Sequence, residues 1–224
     1  MKYAWDTLGE AGFQFFGKMS ASISHEIKNA LAIMNENAGL LEDYASMGEK
    51  GISVDLQRLK SLAGNVRIQI QRADEIVRNM NRFAHSVDRS ENAIELSELL
   101  TLMTALAHRS ATMRGVTLKL KPPQKLVTIT TNQFFLEHLI WLFLEFSMDK
   151  TGCDKIVELI LEKEGSAVRI IFTGLIGLQP PTMDSFQTDA AKALLEAIGA
   201  KVSADSGKGE LVVTLSAGEK PLGS

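Results

Sequence analysis

The sequence predicts an α+β protein, with an N-terminal helical hairpin forming a dimeric four-helix bundle and a two-layer α/β sandwich after it. Three observations predict it. From Asp6 to Met47 there is no proline, and Phe16, Met19, Ile23, Ile27, Ala30, Met34, Leu41 and Tyr44 recur at helical spacing. A second stretch places Leu59, Ala63, Val66, Ile70, Ala73, Val77 and Met80 on alternating four- and three-residue steps, a sustained a/d seam. Beyond Asn92 short strand-like runs alternate with helical ones.

The elements follow in order. Gly48 and Gly51 in MGEKGIS stop the first helix, and Ser53 is the expected N-cap of the second. Two helices of this length joined tightly make an antiparallel hairpin, which exposes too much apolar stripe by itself. A C2 homodimer supplies the missing two helices; packing on the C-terminal half of the same chain is the alternative. Phe13, Phe15 and Phe16 are expected to pack at the open end of the bundle. A helix is then predicted over 94–113, and strands over 116–120 and 126–131 about a Pro122-Pro123 turn. An apolar helix over 132–149, a hairpin of strands over 155–163 and 167–173, a helix over 188–198 and strands over 201–204 and 210–215 complete the chain. The expected organisation is 1–92 as hairpin, 93–218 as sandwich and 219–224 as a frayed tail.

Composition limits the function classes. Hydrophobic residues make up 45% and charged residues 23%, which excludes wholesale disorder. A net charge of -3 gives no electrostatic footprint for nucleic acid and no polybasic patch for membrane, so neither partner is expected. A single cysteine, Cys153, excludes an internal disulfide and fits a reducing compartment. The opening MKYAWDTLGEAGFQFFG has no basic region before an apolar run, and the longest apolar run, near 139–146, is too short to span a bilayer. The expected location is cytoplasmic.

The string Ser22-Ile23-Ser24-His25-Glu26-Ile27-Lys28-Asn29-Ala30-Leu31 carries the chemistry. Ile23, Ile27 and Ala30 face the bundle, while His25 and Asn29 lie one turn apart on the outer face. Glu26 points about 100° away from His25. An exposed imidazole beside a carboxylate and an amide can have one ring nitrogen held and the other free as a nucleophile. A surface histidine without a role is the plain alternative. A zinc-protease helix needs a second histidine four residues on, and position 29 is Asn. His85, His108 and His138 are scattered singly, and Cys153 has no activating neighbour in sequence.

KMSASISHEIKNALAIMNENAGLLED resembles the H-box of two-component sensor histidine kinases. The resemblance extends over nearly the whole chain, with Ala30 where the family usually has proline. It implies that His25 is the phosphoacceptor, that Glu26 assists proton transfer, and that Asn29 lies where the family orients a water for receiver dephosphorylation. It also implies that response-regulator receiver domains are the partners. They would dock on the apolar and small positions Met19, Ser22, Ala32 and Ile33, with Asn29 and Glu36 at the rim. Arg72 and Arg78 on the second helix lie roughly level with His25 and could meet an acidic partner.

The C-terminal half resembles a degenerate Bergerat-type ATPase domain. Trp141 and Glu145 stand where the family helix carries a magnesium-binding asparagine, and Thr173-Gly174-Leu175-Ile176-Gly177 replaces its Asp-x-Gly-x-Gly turn. Ser185-Phe186-Gln187-Thr188 replaces the phosphate-wrapping glycines. No ATP and no cofactor are expected, and magnesium only on the partner receiver. The resemblance is greatest to histidine phosphotransferases of phosphorelays. A pseudokinase adaptor that binds a receiver or a kinase is the alternative, and a kinase with an unusual ATP site is a third reading.

Overall fold

In a computed structural model the described residues are 2–122, 125–165, 167–178 and 188–216. The chain is α+β: a long helical hairpin, then a mixed sheet with helices. It packs as two compact units, one comprising Lys18–Arg82, the other the stretch up to Gly17 together with the chain from Phe83 onward.

The hairpin comes from α1 (Lys2–Glu49) and α2 (Leu56–Ala84). Gly51, at φ 74°, lets the chain leave α1 in a left-handed conformation, and Ile52 N–H closes the end on Met47 O at 3.0 Å. The N-cap of α2 is Asp55, not Ser53: its Oδ1 accepts from Gln57 N at 2.8 Å. Within Lys18–Arg82, α1 buries Ile23, Ala30 and Asn37, and α2 turns Leu62, Val66, Gln69, Ala73 and Ile76 inward. The other edge of the α2 seam stays in solvent. Leu56, Ala63, Ile70 and Val77 follow one another at seven-residue steps and are exposed, Ile70 by 53%.

The second unit begins with the first turns of α1. Phe15 is buried, edge-on to Phe83 at 5.4 Å and stacked on His138 at 4.5 Å. Phe16 stacks on Phe83 as well, whereas Phe13 is 82% exposed. Of the phenylalanines expected at the end of the bundle, Phe15 belongs to a cluster with Phe134 and His138 of α4 (Gln133–Asp149), and Phe16 joins it through Phe83. The reason is chemical: α4 is apolar nearly all round and needs cover on more than one side.

The helix predicted over 94–113 is two elements. β1 (Asn92–Glu95) pairs antiparallel with β3 (Thr128–Thr131). Glu95 then caps α3 (Leu96–Arg114), accepting from Ser97 N at 3.1 Å and Glu98 N at 2.7 Å. The two strands about the prolines do not pair with each other. β2 (Thr117–Leu120) instead forms the edge of a five-stranded sheet, parallel to β4 (Ile156–Glu164). The sheet continues through β5 (Ala167–Thr173) and β7 (Glu210–Ser216) to β6 (Lys201–Asp205), all antiparallel. Alternate residues on one face, among them Val157, Leu159, Val168, Ile170, Phe172, Leu211 and Val213, are buried. Phe172 on that face stacks on Phe143 of α4 at 5.7 Å. α4 is flanked by α3 and by α5 (Asp189–Ile198), the latter capped by Thr188. This is the expected two-layer arrangement.

Candidate functional site

His25 is positioned by helix phase alone. At 3.6 residues per turn the buried face of α1 passes through Ile23, Ala30 and Asn37, which turns His25 and Asn29 to solvent. No proline interrupts α1, so the imidazole stands on continuous helix and not on a loop. Among the described residues its ring makes no hydrogen bond or ion pair.

Glu26 sits in the seam between the helices. Its side chain is 14% exposed, and Oε2 lies 4.0 Å from an Arg72 guanidinium nitrogen. In this arrangement the carboxylate is turned toward Arg72 and makes no hydrogen bond to the neighbouring imidazole. Arg72 therefore stands level with the histidine turn, as the symmetry of the hairpin predicts, and remains half exposed. Arg78 is further along α2 and bound to Asp74 at 2.6 Å, both in solvent.

The expected docking residues divide. Ala32, Ile33 and Glu36 are exposed beside Asn29, and Ser22 is half-buried. Met19 is a correction. Six residues from His25 carry the helix round by about 120°, onto the face shared with Asn37, and Met19 is only 1% exposed. It holds the interior and presents nothing to a docking partner.

A polar layer in the hairpin escaped the sequence reading. Asn37 Nδ2 donates to Ile33 O at 2.7 Å, and Asn65 Nδ2 donates to Asn37 Oδ1 at 3.4 Å. One turn along, the buried Gln69 Oε1 has no hydrogen-bond partner among the described residues. The signal was the amide-bearing Asn37 and Gln69 at otherwise apolar inward positions, with the exposed Asn65 one turn before Gln69.

The sequence resemblance compares Trp141, Glu145 and Thr173 with nucleotide-binding positions, and each has definite surroundings in the structure. Trp141 is buried, with its ring centroid 6.3 Å from that of Phe15. Glu145 lies 3.6 Å from Arg114, whose Nε also donates to Asp149 at 2.9 Å. Thr173 ends β5 in place of a carboxylate, and Leu175 and Leu178 after it are buried. Gly174 is held at φ 84° with Ile156 O only 2.3 Å from where a Cβ would be. Thr173 has no carboxylate to offer an adenine amino group, and Glu145 is engaged by Arg114. Residues 185–187 lie outside the described residues, and Thr188 is spent on the α5 cap.

No family model and no curated protein matches the chain. Its structural neighbours are histidine kinases. AdeS of Acinetobacter baumannii is similar at 10% identity over 82% of this chain and 96% of AdeS, with a TM-score of 0.49. A nucleotide-free catalytic domain of ThkA is similar at 11% identity over 58% of this chain and 98% of that domain, TM-score 0.47. Full-length ShkA, solved in complex with AMPPNP, is similar at 17% identity over 87% of this chain, TM-score 0.47; the chain covers 47% of ShkA. Likeness at this level assigns no residue a role. No helix among the described residues is long and apolar enough to cross a membrane.

Proposed function

We propose that the chain is a histidine phosphotransferase of a two-component phosphorelay, carrying a phosphoryl group between receiver-domain aspartates through His25 without ATP. The observation that carries the reading is the exposed His25 on unbroken α1, with Asn29 one turn on and small residues around it. A neutral ring nitrogen attacks the phosphorus of an aspartyl phosphate; the N–P bond forms as the P–O bond breaks and the aspartate leaves as carboxylate. The reverse step loads the second receiver. Both phosphoryl linkages are high-energy, so direction follows from which receiver is loaded. Catalysis is in-line positioning, with magnesium supplied by the receiver and Arg72 close enough to meet its acidic pocket. In this reading Asn29, one turn from His25, orients a water as the family resemblance implies, which adds receiver dephosphorylation as a side activity.

Thr173, buried Trp141 and the Arg114-bound Glu145 support an ATP-free route. Dimerisation through the hairpin is part of the proposal, because the stripe Leu56–Ala63–Ile70–Val77 is exposed in one copy. A second reading, a non-catalytic adaptor for a receiver or a kinase, draws support from Glu26 being turned to Arg72 and away from His25. The test is transfer of label from one phosphorylated receiver to another. His25→Ala should abolish it, His25→Gln should leave docking intact, and Glu26→Ala should slow transfer without blocking it. Undiminished transfer by His25→Ala would overturn His25 as the carrier, and receiver binding by the parent protein without transfer would leave only the adaptor.

A further inference from the structure

The sheet has an open edge that its own order creates. β2 pairs with β4 as far as Leu120 opposite Leu159, and Lys121 N donates to Leu159 O at 2.9 Å. Pro122 then follows, without an N–H for the ladder. β4 runs on from Ile160 to Glu164, paired on its other side with β5 as far as Glu164 opposite Ala167. Among the described residues nothing pairs with that last stretch on the β2 side. Since Leu159 O points to β2, the two-residue alternation turns the main-chain groups of Leu161 and Lys163 to the same open edge.

Beside this edge lies a cavity of about 510 Å³. Val127 and Leu161 contribute apolar floor, and Lys121, Lys125, Lys163 and Arg169 line it. Arg169 is already met by Glu162 at 3.9 Å and Glu164 at 3.6 Å. The three lysines have no ion pair among the described residues. An unpaired strand edge supplies hydrogen bonds along an extended chain, and uncompensated cations beside it select for carboxylates.

We infer that the Ile160–Glu164 edge binds an extended acidic segment of a partner protein as an added strand, independently of His25. Main-chain bonds to Leu161 and Lys163 would hold the segment, and its carboxylates would meet Lys121, Lys125 and Lys163.

The probe is a fluorescein-labelled octapeptide alternating glutamate and threonine, with a lysine-for-glutamate peptide as control. Binding to the full chain is read by anisotropy, and amide exchange reports which N–H groups become protected. The acidic peptide should bind and protect the amides of Leu161 and Lys163, while the basic peptide should not bind. Lys163→Pro removes an outward N–H and leaves the β5 ladder, so it should abolish binding with an unchanged circular dichroism spectrum. Joint Lys121→Glu and Lys163→Glu substitution should weaken binding by about tenfold or more at low salt. Equal binding of both peptides, or protection outside 160–164, would overturn the inference and leave the lysines as guards against edge pairing. Protection of these amides in the protein alone, rising with its concentration, would assign the edge to a second copy and overturn it equally.

Discussion

At the residue scale, His138 ties the acid stability of the fold to one ring. It is buried against Phe15, and desolvation lowers its pKa to about 4. The unfolded chain protonates near the ordinary histidine value while the folded chain stays neutral, so between about pH 6.5 and 4 the unfolded state binds the extra proton. Stability from this residue is therefore complete above that window and falls as the pH falls through it, by on the order of 3 kcal/mol in all. His138→Phe keeps a ring on Phe15 and cannot titrate. Its melting temperature should fall less than that of the parent protein between pH 7 and 4.5; parallel curves for the two would contradict this. Gly174→Ala should destabilise the sheet at any pH, because it combines positive φ with a Cβ driven into Ile156 O. A loss of about 2 kcal/mol or more in denaturant melts is expected. On the outer face of α1, Ile33→Glu should weaken receiver binding with unchanged helicity, since that side chain is already exposed. Unchanged affinity would move the docking surface elsewhere.

At the scale of elements, the exposed α2 stripe is the surface that the proposed dimer would cover. One hairpin covers Leu62, Gln69 and Ile76 and leaves Leu56, Ala63, Ile70 and Val77 in water. Ile70→Glu with Val77→Glu should convert a dimer to a monomer in light scattering while each hairpin stays helical. A parent protein of monomer mass at micromolar concentration would contradict dimerisation outright. The elements that local pattern could reveal were those whose partners are near in sequence. The β4–β5 hairpin turns at Glu164-Gly165, and α4 and α5 carry an Asn132 or Thr188 cap beside an apolar run. β1 was hidden because four residues of strand run straight into a helix whose cap, Glu95, reads as helix-forming. The pairing of β2 was hidden because its parallel partner begins at Ile156, far along the chain. The same division holds at the candidate site. His25, Asn29 and the burial of Met19 follow from the phase of one helix, which the docking reading of Met19 overlooked, whereas the turn of Glu26 toward Arg72 depends on what packs against it.

At the scale of the whole molecule, the proposal separates the phosphoacceptor from any nucleotide site. Titration calorimetry with magnesium-ATP should be flat, because Thr173 offers no carboxylate to adenine and Glu145 lies against Arg114. A saturable heat at sub-millimolar nucleotide would restore a kinase. The central claim, that His25 takes its phosphoryl group from a receiver, is tested most directly by mapping the modified residue. The protein is mixed with a receiver carrying an acyl phosphate, residual nucleotide is removed by apyrase, and the digest is analysed by mass spectrometry under alkaline conditions that preserve phosphohistidine. The account predicts one added phosphoryl group on the peptide containing His25, appearing as the receiver loses its own. An unmodified His25 peptide, or a phosphoryl group that appears only when ATP is restored, would contradict it.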